Sequence, residues 1–289
     1  MGRDAFSSFH PAVNFLFFVG AIGFAVVIQH PAYLAASAVC GLVYYLLLHG
    51  KKGVKLLGAI IPMFLLITLV NPLINTYGKT VLFTYFGRNW TLEAMVYGMV
   101  LGGMFVLMMV WFGCYSVVLT SDKFVCLFGS LIPALSLLLV MVLRLIPSFM
   151  RKTKQIVGSR NAIGKGGNEN ASFREKVMSG MTVLSALTDW ALEGSIVTAD
   201  SMRARGYGSA KRTSFRIYRL TARDLVLGAA MALLIAAVLL LGSYGAEFTP
   251  VLALDPLGWG FGAYCIYLLI PIGIHVKEAI VWHISISKI

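Results

Sequence analysis

Six stretches of about twenty mostly apolar residues place the strongest constraint on this chain, because each is long enough to cross a bilayer as a helix. They lie at residues 12–28, 32–48, 54–71, 92–118, 225–243 and 258–282. Only 12% of the 289 residues are charged, against about 25% in an ordinary soluble domain. The pattern predicts an all-α integral membrane protein with about six transmembrane helices. The first apolar run is expected to be a retained helix, since no small-residue cleavage site follows it.

The basic residues are concentrated in residues 151–223, which hold fourteen of the 24 lysines and arginines and only five acidic residues. Cytoplasmic loops of membrane proteins are enriched in lysine and arginine. We therefore expect this segment to be cytoplasmic, together with the loop at residues 51–55, which holds three lysines. Loops 72–91 and 243–257 are then outside, and both termini of this cell-membrane protein are cytoplasmic.

A seventh apolar run, residues 124–149, is interrupted by Pro133 and carries Arg144. Two predicted spans separate the lysine-containing loop from Asp122, so Asp122 is also expected in the cytoplasm. A full crossing by residues 124–149 would carry the basic segment outside, against the charge pattern. We therefore expect this run to lie in the plane of the membrane, or to dip in and return.

Residues 173–205 predict an amphipathic helix. Polar residues recur at steps of three or four, in one stripe of helical period: Glu175, Ser179, Thr182, Ser185, Asp189 and Glu193. The other face holds Val177, Met181, Leu184, Leu187, Ala191 and Ile196. A flexible turn is expected before the helix, at residues 164–168. The chain then divides into a membrane region at 1–121, a region of cytoplasmic or in-plane helices at 122–223, and a second membrane region at 224–289.

Glycine spacing predicts where membrane helices contact each other. Gly98 and Gly102 match the small-xxx-small pattern, and so do Gly258 and Gly262. Small residues at this spacing let two helix backbones approach closely.

Side chains that carry enzyme chemistry are scarce or scattered. The five histidines form no HExxH or HxxxH pattern, and no GxSxG sequence is present, so neither a zinc site nor a serine hydrolase is indicated. Residues 158–166 approach a phosphate-binding loop, but the spacing is one residue too long and Gly166 stands where Ser or Thr must hold Mg²⁺. The four cysteines are interpreted as buried free thiols. We expect no metal, no cofactor and no catalysis on this chain.

Arginines close the amphipathic helix in the stretch SMRARGYG, which begins at Ser201. One interpretation is a basic helix end, where cations complement the helix dipole and Gly206 takes the left-handed C-cap conformation. The other is a docking knob, because a guanidinium can make bidentate hydrogen bonds to a carboxylate in a partner's groove. In that case Arg203, Ala204, Arg205 and Gly206 form the contact.

The run Ala199–Tyr207 resembles the Ala-Arg-Gly motif in the T component of energy-coupling factor (ECF) transporters. Phe9-His10-Pro11 before the first span and Asn71-Pro72-Leu73 at the end of the third are also similar to that family, and the order of spans and coupling helices extends the resemblance over nearly the whole chain. In the family, two cytoplasmic coupling helices each end in an X-Arg-X motif. The resemblance identifies Ser159-Arg160-Asn161 as the earlier one, although the flanking residues depart from the family's small residues.

The resemblance implies a mechanical, non-catalytic role. A T component binds two ABC ATPase subunits, which use ATP and Mg²⁺, and one small substrate-binding membrane subunit, the S component, which captures a vitamin or a metal ion such as cobalt or nickel. Coupling-helix motion reorients the S component in the bilayer, and no nucleic acid takes part. Flexible methionines along the coupling region are candidates for the S-component contact, although each is equally typical of ordinary packing: Met141, Met150, Met178 and Met181.

Three other functions stay open at this point. A permease subunit of a conventional ABC importer would line its own solute pathway and present one main coupling helix. A polybasic, non-transport membrane protein would bind anionic lipid or nucleic acid, with many arginines contributing about equally. A membrane enzyme would need a catalytic constellation, which the sequence does not offer.

Overall fold

A computed structural model describes residues 5–50, 53–75, 80–85, 88–129, 133–164, 172–209, 218, 220–242, 245–247 and 253–286. Over these residues the chain is almost entirely helical, which confirms the predicted all-α class, with two short hairpins. The chain forms two compact units. Unit 1 comprises Met1–Phe124 and Tyr218–Ile289, and unit 2 comprises Val125–Ile217.

The described part of unit 1 contains a 3-10 turn at Phe6–Ser8 and six long helices. The helices are α1 (Pro11–Val27), α2 (Pro31–His49), α3 (Gly53–Ile74), α4 (Leu92–Val118), α8 (Ala222–Leu241) and α9 (Trp259–Ile286). Unit 2 contains α6 (Pro133–Ala162) and α7 (Phe173–Ala204), while α5 (Ser121–Gly129) runs across the boundary. The hairpins are antiparallel pairs, β1 (Val81–Tyr85) with β2 (Arg88–Thr91) and β3 (Ala246–Glu247) with β4 (Ala253–Leu254).

The six predicted spans coincide with the six helices of unit 1. Four of these helices are long and apolar enough to cross a membrane, namely α2, α4, α8 and the part of α9 at Trp259–Glu278. This finding suggests a membrane protein. The helix α1 and the stretch Ile60–Ile74 of α3 are apolar but shorter, so the count of six crossings stays a prediction. The division of the chain at residues 121 and 223 also stays a prediction.

Two His-Pro-Ala sequences begin α1 and α2 in the same way. His10 Nδ1 accepts a hydrogen bond from the Ala12 backbone N–H at 3.2 Å, and His30 Nδ1 accepts one from Ala32 at 3.2 Å. The proline between them occupies the first helical position, where a backbone N–H would have no partner within the helix. An imidazole nitrogen thus takes the capping role that Ser or Asp usually fills.

Contacts between helix ends fix the direction of the helices in unit 1. The His10 backbone N–H donates to Asp224 Oδ1 at 3.0 Å, which brings together the starts of α1 and α8. Lys123, near the start of α5, donates through Nζ to Ser7 Oγ at 2.7 Å and to the Val118 carbonyl at 2.9 Å, which places the end of α4 beside the same N-terminal segment. We call this the junction end of unit 1, since the chain leaves unit 1 after Phe124 and returns shortly before α8.

At the opposite end of unit 1, His30 joins the start of α2 to the segment just before α9. Because its Nδ1 accepts the helix-capping hydrogen bond, the proton of the neutral ring lies on Nε2. Nε2–H therefore donates to the Asp255 carbonyl oxygen, at 3.1 Å, just before α9 begins. Consecutive helices of unit 1 consequently run in alternating directions between the two ends.

The core of unit 1 is aromatic. Phe17, Trp111 and Tyr267 are fully buried, with the Trp111 and Tyr267 rings 5.7 and 5.2 Å from the Phe17 ring. The polar atoms of these rings are satisfied inside the core. Trp111 Nε1 donates to Ser37 Oγ at 2.9 Å, and the Tyr267 hydroxyl donates to the Phe17 carbonyl at 2.8 Å. Such pairing is what an apolar surrounding requires of buried donors.

The glycine pair on α4 forms the predicted close helix contact. A Cβ on Gly98 would lie 2.9 Å from the Thr68 carbonyl oxygen of α3, and one on Gly102 would lie 3.1 Å from the Phe64 ring. The absence of side chains at these two positions therefore lets α3 and α4 approach each other.

Two features of the structure differ from the sequence analysis, namely the end of the third span and the second glycine pair. The third span does not end at Asn71-Pro72, because α3 continues through Pro72 to Ile74. Proline lacks the N–H that would bond back to Thr68, and the Thr68 carbonyl lies against Gly98 instead. The second glycine pair is not a contact of the predicted kind, since nothing lies within 4 Å of a Cβ placed on Gly262.

We expect Gly98→Ala to destabilise the protein by about 1–3 kcal/mol, because the methyl group overpacks the α3–α4 contact. Gly103→Ala is the matched control, since a Cβ at Gly103 meets nothing within 4 Å. It should be neutral, or stabilising by up to about 1 kcal/mol through helix propensity. Thermal unfolding in detergent measures both, and equal effects of the two substitutions would contradict the contact.

Candidate functional site

Unit 2 is built on an antiparallel pair of long helices. The Phe149 and Trp190 rings lie edge to face at 5.4 Å, and Lys152 Nζ lies 5.8 Å from the centre of the Trp190 ring. Further along, Arg160 Nη2 donates to Ser179 Oγ at 3.2 Å. Because later residues of α6 contact earlier residues of α7, the two helices run in opposite directions.

The predicted amphipathic helix is confirmed as α7, but little of it is covered. Leu187 is its one buried residue. Ser179, which the sequence places in the polar stripe, is half-buried because it accepts the hydrogen bond from Arg160 on α6. The remaining members of that stripe are exposed, as a polar face should be.

Much of the apolar face of α7 is exposed. We call Val177, Met181 and Leu184 the apolar flank of α7; their exposed fractions are 47, 59 and 55%. Exposed apolar residues that lie together on one face mark contact with a partner or with lipid. Unit 2 thus presents a surface that its own helices leave open.

The helix α6 also presents an open apolar groove. Its lining residues recur at helical spacing: Val142, Leu145, Ile146, Phe149, Met150 and Thr153. Of the four methionines proposed to contact a partner, Met150 lies in this groove and Met181 lies on the apolar flank. Met141 and Met178 are exposed as well.

The SMRARGYG stretch folds into a complete helix-ending motif. Gly206 has φ 81°, the left-handed conformation that the sequence predicts. The Gly206 N–H donates to the Arg203 carbonyl at 2.9 Å, and the Tyr207 N–H donates to the Met202 carbonyl at 3.0 Å. These two hydrogen bonds define a Schellman motif. The carbonyl groups of Ser201, Met202 and Arg203 near the end of α7 are therefore satisfied by the backbone, and the arginine side chains are not required for that task.

Arg205 lies at the tip of this motif, one residue beyond the last residue of α7. Arg203, Ala204, Arg205 and Gly206 are all exposed. Within the described residues, no hydrogen bond or ion pair holds the Arg203 or Arg205 guanidinium. Both side chains are therefore exposed on the surface of the described part of unit 2.

The helix α6 ends at a glycine too, but Arg160 is placed differently. Gly164 has φ 73°, and its N–H donates to the Asn161 carbonyl at 3.0 Å. Arg160 precedes that glycine by four residues and lies inside the last turn, with its guanidinium bonded to Ser179. Ser159 and Asn161 on either side are exposed. Arg160 and Arg205 are therefore not equivalent in geometry, although both precede a left-handed glycine.

The expected flexible turn and the near-match to a phosphate-binding loop are described only up to Gly164; their remaining residues, from 165, lie outside the described part of the chain. All four cysteines are free thiols, but only Cys114 is fully buried, and Cys40, Cys126 and Cys265 are partly exposed. Among the described residues, no three His, Cys, Asp or Glu side chains lie close enough to hold a metal ion.

Among the described residues, three buried lysine or carboxylate side chains were not singled out from the sequence. Glu93, in the first turn of α4, is 4% exposed and accepts the Thr80 N–H at 3.2 Å. Lys123 and Asp224 are each 5% exposed, and both lie at the junction end. Asp224 could have been found, because Thr221-x-x-Asp224 matches a capping box, and the Thr221 N–H donates to Asp224 Oδ2 at 2.9 Å. No sequence signal marks Lys123, because its partner Ser7 lies 116 positions away along the chain.

Comparison of the sequence with models of known protein families and with curated proteins finds no match.

We expect Gly206→Ala to loosen the end of α7 by about 1–2 kcal/mol, because an L residue in the left-handed conformation is strained. Hydrogen exchange in a peptide covering residues 200–209 should then be roughly five- to thirtyfold faster. Gly194→Ala, in the interior of α7 with nothing within 4 Å of the added Cβ, should not accelerate it. Equal exchange in both variants would argue against the Schellman motif.

Proposed function

We propose that this chain is the T component of an ECF-type importer, a membrane subunit that couples two ATPases to a small substrate-binding S component. The observation that carries the proposal is the end of α7, where Arg205 projects at the tip of a backbone-satisfied glycine motif. The arginine is not needed to complete the helix, so its use is more consistent with an external acceptor. The cargo, a vitamin or a metal ion, would be chosen by the S component.

The proposed topology has six crossings, with both termini and residues 151–223 in the cytoplasm. The contacts of Lys123 and Asp224 support it, because the chain leaves and re-enters unit 1 at the same end. A segment whose two ends lie on one side of a membrane crosses it an even number of times. This is compatible with residues 124–149 lying in the plane or dipping in and returning, and with a cytoplasmic location for the net charge of +9 that follows.

In the proposed complex the two arginines dock into grooves of the two ATPase subunits. Arg205 offers a planar guanidinium with five donors, which suits a carboxylate-lined groove. Arg160 already donates to Ser179 on the neighbouring helix, so it enters a groove only after this internal contact is rearranged. We therefore expect Arg205 to contribute more to docking than Arg160.

The S component would cover the open apolar surface of unit 2. The apolar flank of α7 and the groove of α6 both contain methionine, whose thioether side chain adapts to differently shaped partners. Burial of this surface against a membrane subunit would remove its contact with water or lipid. The four methionines of α6 and α7 are the proposed contact residues, with Met150 and Met181 the best placed.

We expect Arg205→Ala to reduce both ATPase retention and uptake of labelled cargo into vesicles, because a charge-assisted contact in a buried interface is worth about 2–5 kcal/mol. Arg205→Lys should restore little, since an ammonium cannot make the bidentate contact. Arg205→Glu should be worse than Arg205→Ala, because it faces an acidic groove. The Arg160→Ala and Arg205→Ala double change should release the ATPases from the membrane.

Two matched variants control this experiment. Arg151→Ala removes an exposed arginine of α6 and should leave retention unchanged. Ser179→Ala removes one internal acceptor of Arg160 without touching the guanidinium, so it should preserve docking. Equal losses in Ser179→Ala and Arg160→Ala would assign Arg160 to helix pairing only, and full uptake in the double arginine variant would end the proposal.

The topology is tested by single cysteines at two exposed positions, Ser172 and Leu257, in a background without native cysteines. We expect a membrane-impermeant thiol reagent to label Leu257→Cys from outside and Ser172→Cys only after the membrane is opened. Labelling of both residues from outside would show that residues 124–149 cross the membrane.

A further inference from the structure

Two buried charges flank the part of the chain that forms unit 2. Lys123 immediately precedes the last residue of unit 1 before the chain leaves it, and Asp224 follows the return at Tyr218 by six residues. Both side chains are only 5% exposed. A buried charge is costly unless hydrogen bonds compensate it, so each of these groups depends on specific partners.

The outgoing junction is tied by Lys123. Its ammonium donates to the Ser7 carbonyl, to Ser7 Oγ at 2.7 Å and to the Val118 carbonyl at 2.9 Å. These contacts match the three N–H donors of a lysine. The cation also lies at the carboxyl end of α4, where the helix dipole favours positive charge. The end of α4 and the N-terminal segment are thereby held to one ammonium group.

The returning junction is tied by Asp224. Its Oδ2 accepts from the Thr221 N–H and hydroxyl at 2.9 and 2.7 Å, which caps α8. Its Oδ1 accepts the backbone N–H of His10 at 3.0 Å. One carboxylate therefore joins the start of α8 to the start of α1.

The hydrogen bonds of Lys123 and of Asp224 both reach the same short N-terminal segment. Ser7 and His10 are three residues apart, so their Cα atoms are separated by at most about 11 Å. Phe6, beside Ser7, is fully buried, with its ring 5.3 Å from that of Phe17. The segment is thus anchored in the core of unit 1 and is not a loose terminus.

We propose that Ala5–His10 is a clip that holds the outgoing and returning junctions of unit 2 together. The links lie in series: outgoing junction, Lys123, Ser7, His10, Asp224, returning junction. The two chain connections are then held at one end of unit 1, at a fixed separation from each other. The clip follows from the contacts within unit 1 and holds whichever partners unit 2 binds.

The separation of the junctions can be measured directly. Asp122→Cys and Arg223→Cys introduce label sites at two exposed positions beside the ties, in full-length protein whose native cysteines are replaced. Pulsed electron paramagnetic resonance of spin labels in lipid nanodiscs gives the distribution of distances between them. If the clip holds the two junctions together, the distribution of distances between the labels is narrow.

One substitution removes the His10 tie with little backbone strain. His10 has φ −56° and ψ 138°, and Phe9 has φ −72° and ψ 164°, values that suit a proline at position 10 and the residue before it. His10→Pro deletes the N–H that donates to Asp224 and also the imidazole cap. His10→Ala deletes only the cap, so it is the matched control.

We expect a narrow distribution in His10→Ala and a broadened one in His10→Pro. Lys123→Met should broaden it as well, whereas Lys277→Met, at an exposed lysine of α9, should not. Since the links lie in series, His10→Pro and Lys123→Met together should broaden it no more than the larger single effect. Independent local ties would instead give additive effects.

The clip is overturned if His10→Pro matches His10→Ala, or if the double variant shows the sum of the single effects. Should Lys123→Met fail to fold, Ser7→Ala removes the hydroxyl acceptor of Lys123 and should give a smaller broadening. An unchanged distribution in Ser7→Ala would then also overturn the clip.

Discussion

The structure of unit 1 depends on how the polar groups at its helix ends are satisfied. Helices this apolar bury or place in lipid everything but their termini, and each terminus leaves backbone groups without partners inside the helix. His10 and His30 supply ring nitrogens at the starts of α1 and α2, and Asp224 supplies a carboxylate at the start of α8. Each of these residues also contacts a second element. The need to satisfy backbone groups at the start of each helix thereby determines which helix ends lie next to each other.

In unit 2, by contrast, few specific contacts join the helices and much of the apolar surface is exposed. Its two long helices share a few side-chain contacts, of which an aromatic pair and an arginine–serine hydrogen bond are the most specific. The apolar flank of α7 and the groove of α6 stay open. Apolar burial is the main favourable contribution to helix packing in water, so a helix pair with this much open apolar surface obtains less of that contribution from its own contacts. In the proposed complex, the S component would cover that surface.

The two arginine motifs show how backbone geometry separates residues that look alike in sequence. A left-handed glycine follows each, but Arg205 stands beyond the helix and Arg160 stands within its last turn. Side chains of a helix point back towards its amino end, which brings Arg160 to Ser179 on the neighbouring helix. Arg205 has left the helix, and its guanidinium stays exposed. One motif can contribute to the assembly of unit 2 while the other is available for docking.

The sequence by itself determined where the six long helices of unit 1 and α7 lie, to within a few residues, because hydrophobic run length and helical period are properties of each segment. It also determined the amphipathic character of α7 and the left-handed Gly206, which follow from helical period and the absence of a side chain. The same spacing occurs at Gly98/Gly102 and at Gly258/Gly262, and the tertiary structure decided that the first pair forms a close helix contact. Only the tertiary structure decided that Ser179 is an acceptor for Arg160, that α3 continues through Pro72, and that Lys123 and Asp224 are buried on one N-terminal segment. Those outcomes join residues up to 214 positions apart, and such pairing leaves no local pattern because it depends on how whole helices pack.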